Sequence, residues 1–346
     1  MPDSAVLGHD APAEQAAPDA AVFVALYTGH VLRAGLRLGL PDALGDEPAS
    51  AAELADRMGL DPRALRRLLR ALVALGFLDR TADGRYAHTP RSQLVRADDE
   101  FGRSLAAFAT NPAVEQAWHG LAESVRTGRG PFAAHHGTDF YTYLSGDDGL
   151  STAFRTAMRA GEEWIASSEI EALAQYASGT VVDVGGNRGA LLRELLMCAP
   201  RARGILFDLA SVVDDPDPEL RSGALADRCE LVAGDARESA PAGADLYVLR
   251  AVLHNWDDET AVRILTNCAR AGRPGARVAV IEMVLPEEAT PSPMAAVSDL
   301  DMFVLFGSGE RTESEFVELF RRAGLDYAGS RPASGLTHLM ECRIPS

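Results

Sequence analysis

Cysteine is scarce in this chain of 346 residues, and its four cysteines stand far apart. They form no CxxC pair and no CxxH spacing, so we expect free thiols and no metal site. They are Cys198, Cys229, Cys268 and Cys342.

Long hydrophobic runs are also missing, although apolar residues make up 47% of the chain. No stretch approaches the roughly 18 apolar residues that a membrane span requires. Residues 1–19 lack the basic start and apolar centre of a secretory signal, and their Ala, Pro and Asp content predicts a disordered tail. We expect a cytoplasmic protein without membrane contact.

Positive charge is in short supply, with 33 basic against 50 acidic residues and a net charge of −17. A field of this sign repels phosphate backbones, which argues against a nucleic-acid partner. The length exceeds what one core usually fills, so we expect more than one domain.

Residues 20–105 carry the pattern of a winged-helix module. Ser50 and Glu53 form a capping-box pair at the start of one helix, and Asp61-Pro62 opens the next. An Asp83-Gly84 turn then predicts a short β-hairpin. Such a module leaves a DNA-binding regulator as an alternative, because its second helix carries several arginines; we interpret these as a solvated face. They are Arg63, Arg66, Arg67 and Arg70.

The remaining chain divides into two parts with different residue patterns. Residues 106–176 are mostly helical in pattern and rich in aromatic residues, which predicts a helical linker that lines a pocket. Residues 177–346 alternate strands with helices, which predicts an α/β domain with a parallel sheet.

A glycine-rich turn follows the first strand of that domain, at Asp183, Gly185, Gly186 and Gly189. A dinucleotide fingerprint would need glycine at positions 187 and 190, where this chain has Asn187 and Ala190. The turn instead fits a D-x-G-x-G-x-G motif with asparagine at the middle glycine, and asparagine tolerates left-handed backbone.

Acidic residues end the next two predicted strands. Asp208, followed by Leu209, lies about twenty residues beyond the glycines, where a carboxylate can bind both ribose hydroxyls. Asp235-Ala236 ends the third strand, where an acid can meet an adenine amino group, and Arg250 follows the fourth. Together these residues predict a nucleoside-cofactor site.

The chain resembles the plant and bacterial small-molecule O-methyltransferases that use S-adenosylmethionine (SAM), with actinomycete polyketide and natural-product enzymes closest in appearance. The resemblance rests on VVDVGGNRG, FDLA, the segment from GDARES to LHNWDD, VIEMVLP and GSGERTESEF. It implies a Rossmann-like domain with a mostly parallel seven-stranded sheet, and a winged-helix half that forms a homodimer. It also implies SAM as cofactor and S-adenosylhomocysteine (SAH) as product.

The same resemblance implies a catalytic set. His254, in the Leu253-His254-Asn255-Trp256 segment, matches the family's general base, and Glu282 and Glu310 match the acids that flank it. A carboxylate beside the ring fixes its tautomer and stabilises the imidazolium. A hydroxylase or decarboxylase on the same fold stays open as an alternative.

The segment Phe154 to Met158 matches a family stretch beside cofactor and acceptor. Further apolar residues complete the expected acceptor pocket, for a phenolic hydroxyl of an aromatic polyketide-type metabolite. The predicted pocket residues are Trp118, Phe140, Phe154, Met158, Met302 and Phe306.

Overall fold

Thr110 ends the first of two units into which the chain divides, and Asn111 begins the second. The computed structural model describes residues 18–162, 165 and 167–346. The predicted disordered tail, residues 1–19, lies outside this part except for its last two residues, which begin the first helix. The helices predicted as a linker belong almost entirely to the second unit, so the division falls at 110 and not at both 105 and 176.

The first unit contains six helices and one hairpin within the described residues. Its winged-helix pattern is confirmed: the Ser50–Glu53 capping box forms, and Asp61 caps the helix that Pro62 opens. Leu54, Leu69 and other apolar side chains fill its core. The elements are α1 (Pro18–Arg37), α2 (Leu40–Leu44), α3 (Ala51–Met58), α4 (Pro62–Ala74), β1 (Leu78–Arg80), β2 (Tyr86–His88), α5 (Pro90–Gln93) and α6 (Glu100–Ala109).

Helix α1 leaves an apolar face uncovered. Phe23 is 62% exposed and Leu26 is 69% exposed, and Val22 and Tyr27 lie beside them. Apolar exposure on this scale is typical of a surface that another molecule covers. The arginines of α4 are exposed as well, so the absence of nucleic-acid binding stays a prediction.

The second unit combines a helical segment with a sheet. Across the described ranges, no helix is both long and apolar enough to cross a membrane. Its helices are α7 (Pro112–His119), α8 (Leu121–Thr127), α9 (Pro131–His136), α10 (Phe140–Leu144), α11 (Asp148–Glu162), α12 (Ser167–Ala174), α13 (Ala190–Cys198), α14 (Ala210–Val213), α15 (Pro218–Arg221), α16 (Asp258–Ala271), α17 (Pro293–Phe306) and α18 (Glu313–Arg322). Its strands are β3 (Thr180–Val184), β4 (Arg203–Asp208), β5 (Cys229–Ala233), β6 (Leu246–Arg250), β7 (Arg277–Leu285), β8 (Arg311–Thr312), β9 (Asp326–Ser334) and β10 (Thr337–Arg343).

Seven strands of this sheet follow the order β5-β4-β3-β6-β7-β10-β9, and the two-residue β8 pairs with β7 as an eighth. Strands β3 to β7 are parallel, whereas β10 runs antiparallel between β7 and β9. The seven-stranded prediction therefore holds for the main path, and only β8 was missed. Apolar clusters cover both faces, as a parallel sheet requires.

The topology decides where chemistry can gather. The carboxyl ends of β5, β4, β3, β6 and β7 lie side by side at one edge, where open α/β sheets bind their ligands. The predicted cofactor residues end or follow these strands.

Candidate active site

The turn after β3 brings bare backbone to the edge of the sheet. Asn187 has φ 51°, a left-handed conformation that asparagine tolerates. A Cβ at Gly186 would lie 2.5 Å from Cγ of Asp183, so the chain can pass there only without a side chain. A ligand can therefore approach the turn closely, which fits the predicted nucleoside cofactor.

Asp208, the last residue of β4, lies against this turn. Its Oδ2 accepts a hydrogen bond from the backbone N–H of Asn187 at 2.9 Å, and its Oδ1 accepts one from Leu209 at 2.6 Å. Burial, opposed by these two bonds and helped by the charge of Asp235, raises the pKa of Asp208. The carboxylate thus contacts the glycine turn, and its ribose role stays a prediction.

The other two predicted cofactor groups already have partners. Asp235 lies two residues beyond the end of β5, and its carboxylate accepts from Nε and Nη2 of Arg237, which holds the pKa of Asp235 below its usual value. Nε of Arg250 donates to the buried carboxylate of Glu169 at 2.8 Å. A cofactor role for Asp235 and Arg250 therefore requires that each share its side chain with this neighbour. Ala236, also predicted here, accepts through its carbonyl from Asn267.

Glu282, in β7, is 1% exposed and holds the turn that follows β6. Its Oε1 accepts from the backbone N–H groups of Val252 and Leu253, at 2.9 and 2.7 Å. Ala251, just before them, has φ 54°, a left-handed conformation that strains a residue with a Cβ. The buried charge and its two donors keep this strained turn in place.

His254 follows directly and lies between two carboxylates. Its Nδ1 is 3.2 Å from Oε1 of Glu310 and 3.8 Å from Oε2 of Glu282. Since a carboxylate can only accept, Nδ1 carries the proton, and Ser298 donates to the same Glu310 oxygen at 2.9 Å. Burial of the ring disfavours its charge, but the two carboxylates outweigh burial and the opposing charge of Arg311, and raise the pKa of His254 to about 9.

Arg311, in β8, binds the backbone on both sides of His254. Its guanidinium donates to the carbonyl oxygens of Leu253 and Trp256, at 3.0 and 2.7 Å, and to the carboxylate of Asp258. Both ends of the His254 segment are therefore fixed by one buried side chain. The predicted catalytic residues are brought together as expected.

Three of the predicted acceptor residues form one aromatic cluster. The ring of Phe140 lies 5.2 Å from Phe154 and 5.1 Å from Phe306, centroid to centroid. Tyr141, which the sequence did not single out, lies 5.4 Å from Phe306. Loss of solvation and the charge of Asp208 both raise the pKa of the Tyr141 hydroxyl, so this cluster and Asp208 interact electrostatically.

The remaining acceptor candidates are distributed differently. Nε1 of Trp118 donates to Oδ1 of Asp301 at 3.1 Å, which attaches it to α17 beside Met302. Met158 is 42% exposed and has no ring contact to the cluster among the described residues. The structure therefore groups the aromatic residues but leaves Met158 at the surface.

Several residues of the site escaped sequence analysis. Ser298 and Arg311 act on His254 or its segment from other elements, and Tyr141 and Trp256 stack at 6.2 Å. Arg237 lies 4.7 Å above the Trp256 ring. Arg237, Trp256 and Arg311 had a signal, since all three belong to the motif segments that carry the resemblance.

Two family descriptions match this chain. The O-methyltransferase domain matches residues 118–326, and the O-methyltransferase dimerisation domain matches residues 22–98.

Individual relatives extend over nearly the whole chain. O-demethylpuromycin-O-methyltransferase from Streptomyces alboniger is 36% identical, over an alignment that covers 95% of this chain and 90% of the relative. Aclacinomycin 10-hydroxylase RdmB from Streptomyces purpurascens is 34% identical, with 90% and 85% covered. The structure of the O-methyltransferase NcsB1 from neocarzinostatin biosynthesis, in complex with SAM and 2-hydroxy-5-methyl naphthoic acid, matches with a TM-score of 0.77 at 33% identity, with 92% and 96% covered.

The first prediction concerns Asp208. Replacing it with alanine removes the carboxylate assigned to the ribose hydroxyls, so the dissociation constants of SAM and SAH should rise by the equivalent of about 2–4 kcal/mol. Calorimetric titration measures this, with Asp214→Ala as the matched control on an exposed acid nearby. An unchanged dissociation constant for Asp208→Ala would remove the assignment.

A second prediction concerns metal. The donor atoms of His254, Glu282 and Glu310 lie within 4.8 Å of one another, a spacing that three metal ligands can also have. One oxygen of Glu282 is already occupied by two backbone donors, so we expect turnover to be unchanged after exhaustive treatment with EDTA. Loss of turnover that Mg²⁺ or Zn²⁺ restores would contradict this.

Proposed function

The chain belongs to the O-methyltransferase family and is a SAM-dependent O-methyltransferase, and from this premise we propose that it methylates a phenolic hydroxyl of an aromatic polyketide-type metabolite, with His254 as general base. The observation that carries the proposal is the position of His254. It is held by two buried carboxylates, on the segment whose Trp256 stacks with the aromatic cluster.

The proton transfer follows from the chain's own residues. SAM supplies a methyl group on a sulfonium, which leaves by in-line displacement when an oxygen nucleophile is positioned behind it. A phenol has a pKa near 10 and is a poor nucleophile while protonated. Because Glu310 holds the proton on Nδ1, Nε2 of His254 is the nitrogen that takes the acceptor proton.

The raised pKa of His254 suits this task but has a cost at neutral pH. A base of pKa about 9 nearly matches a phenol, so the transfer between them is close to balanced. At pH 7, however, such an imidazole is mostly protonated. The reactive complex must therefore lose one proton to solvent, either from the ring or from the phenol.

We predict that kcat/KM rises with pH and levels off near pH 9. Only the neutral ring accepts a proton, and the two carboxylates shift the loss of the ring's own proton to higher pH. His254→Ala should lower turnover by roughly 10²–10⁴-fold at pH 7. The defect should shrink as pH approaches the pKa of the phenol, since an ionised acceptor needs no base. Initial rates from pH 6 to 10 measure both effects.

Two further variants make this test specific. Glu310→Gln should show a milder form of the same profile with its midpoint at lower pH, because it removes one of the charges that stabilise the imidazolium. His135→Ala, on an exposed histidine, should match the unsubstituted protein. Near-normal turnover of His254→Ala at pH 7 would mean that positioning alone drives transfer.

The acceptor class is proposed from the aromatic cluster. The cluster contains aromatic rings whose faces and edges a flat ligand can contact, namely those of Phe140, Phe154, Phe306 and Tyr141. The naphthoic acid in the NcsB1 complex is a flat phenol of this kind.

A hydroxylase is the second candidate, since RdmB is a relative of similar identity. The two reactions are separated by the mass of the product, because a methyl group and an oxygen atom add different masses. The complete set of His254, Glu282 and Glu310 supports methyl transfer, which uses a base at this position.

Assembly is also proposed: the apolar face of α1 forms part of a homodimer interface, as the matched dimerisation domain supports. Because this face exposes several large apolar side chains, the dimer should persist at micromolar concentration. Light scattering should give twice the chain mass of 36.8 kDa. Phe23→Glu with Leu26→Glu should lower it, whereas a single-chain mass for the unsubstituted protein would refute the dimer.

A further inference from the structure

Asp301 occupies a place in α17 that connects the catalytic histidine to the acceptor side. It lies one helical turn after Ser298, whose hydroxyl donates to Glu310. Residues three apart on a helix lie on the same face, with Cβ atoms about 5–6 Å apart. Met302 and Phe306 follow it on α17, and Phe306 belongs to the aromatic cluster. Asp301 therefore lies on the side of α17 that carries Ser298, and its bond to Trp118 and its neighbour Met302 connect it to two of the predicted acceptor residues.

The bonding of Asp301 is incomplete. Its Oδ1 accepts from the indole N–H of Trp118 at 3.1 Å, and its Oδ2 has no hydrogen-bond partner in the described part of the chain. Burial raises the pKa of Asp301, and the bond from Trp118 only partly offsets this. No arginine or histidine forms an ion pair with it among the described residues.

Other acids near the site differ in this respect. Asp235 is paired with Arg237, and Glu169 with Arg250. A half-buried carboxylate that lacks a cation is stabilised by any further donor that reaches it, and by a charged donor most of all. Asp301 is thus a fixed acceptor of hydrogen bonds beside the indole of Trp118.

We propose that Asp301 sets the charge preference for the acceptor: its free oxygen takes a hydrogen bond from an amino or hydroxyl group, so that acceptors with a donor there are selected and acceptors with a carboxylate there are rejected. The proposal rests on the proposed function and deepens it by naming a substrate class. Repulsion between like charges supplies the rejection, and a charge-assisted hydrogen bond supplies the selection.

Asp301 also anchors Trp118, and the test must separate that role from ligand selection. Asp301→Asn keeps an oxygen that accepts the indole N–H but removes the negative charge. Asp301→Ala removes both. If Asp301 only anchors Trp118, Asp301→Asn should leave the choice of ligand unchanged.

The experiment uses three phenols of similar shape that differ in the charge of one substituent: tyramine, 4-ethylphenol and 3-(4-hydroxyphenyl)propionate. Each is titrated calorimetrically into the full-length protein saturated with SAH. The unsubstituted protein should bind tyramine most tightly and the propionate least, with a spread of roughly 10- to 100-fold. In Asp301→Asn the spread should fall to within about threefold.

Failure of tyramine to bind the unsubstituted protein more tightly than the propionate overturns the proposal, and so does an unaltered spread in Asp301→Asn. Methyl transfer is read separately, as product mass from isotope-labelled SAM. Selectivity without transfer would preserve the role of Asp301 and remove the proposed phenol methylation. Transfer without selectivity would do the reverse.

Discussion

The buried carboxylate of Glu282 is the constraint on which the catalytic edge of the sheet depends. A charge removed from water is tolerated only with close partners, and this one has two backbone donors and the imidazole of His254. Removing one member of such a buried pair typically costs about 3–5 kcal/mol. The turn after β6 is therefore held to β7, in spite of the left-handed backbone at Ala251.

That constraint also determines the proton chemistry. Two carboxylates around one imidazole favour the imidazolium, which raises the pKa of His254 above that of an isolated histidine. An enzyme that deprotonates phenols benefits from a raised histidine pKa, because the pKa values of base and acceptor approach each other. Ser298 in α17 donates to Glu310, and Arg311 in β8 donates to the carbonyl of Leu253. Together with Glu282 in β7, three separate elements define the position of the His254 ring.

The acidic residues around the site differ in whether a cationic side chain pairs with them. Glu169 pairs with Arg250 and Asp258 with Arg311, and each of these ion pairs joins a helix to a strand, whereas Asp235 pairs with Arg237 within one loop. Asp208 and Asp301 have backbone or indole donors instead. The roles proposed for these two carboxylates, one toward the cofactor and one toward the acceptor, rest on this difference.

The sequence by itself determined the features that depend on neighbouring residues. The turn from Asp183 to Gly189, the Ser50 cap and the alternation of strands and helices follow from local backbone preferences and apolar spacing. Parallel strands then placed Asp208 at the ligand edge without further information. The resemblance supplied the roles of His254, Glu282 and Glu310, which local patterns could not.

Tertiary structure alone decided the pairings between distant residues. Trp118 and Asp301 are 183 positions apart, and Arg250 and Glu169 are 81 apart. No spacing rule relates such residues, because their contact depends on how helices pack against one another and against the sheet. For the same reason the sequence indicated Arg250 as a cofactor residue without its buried partner, and gave no sign that Tyr141 would lie near Asp208.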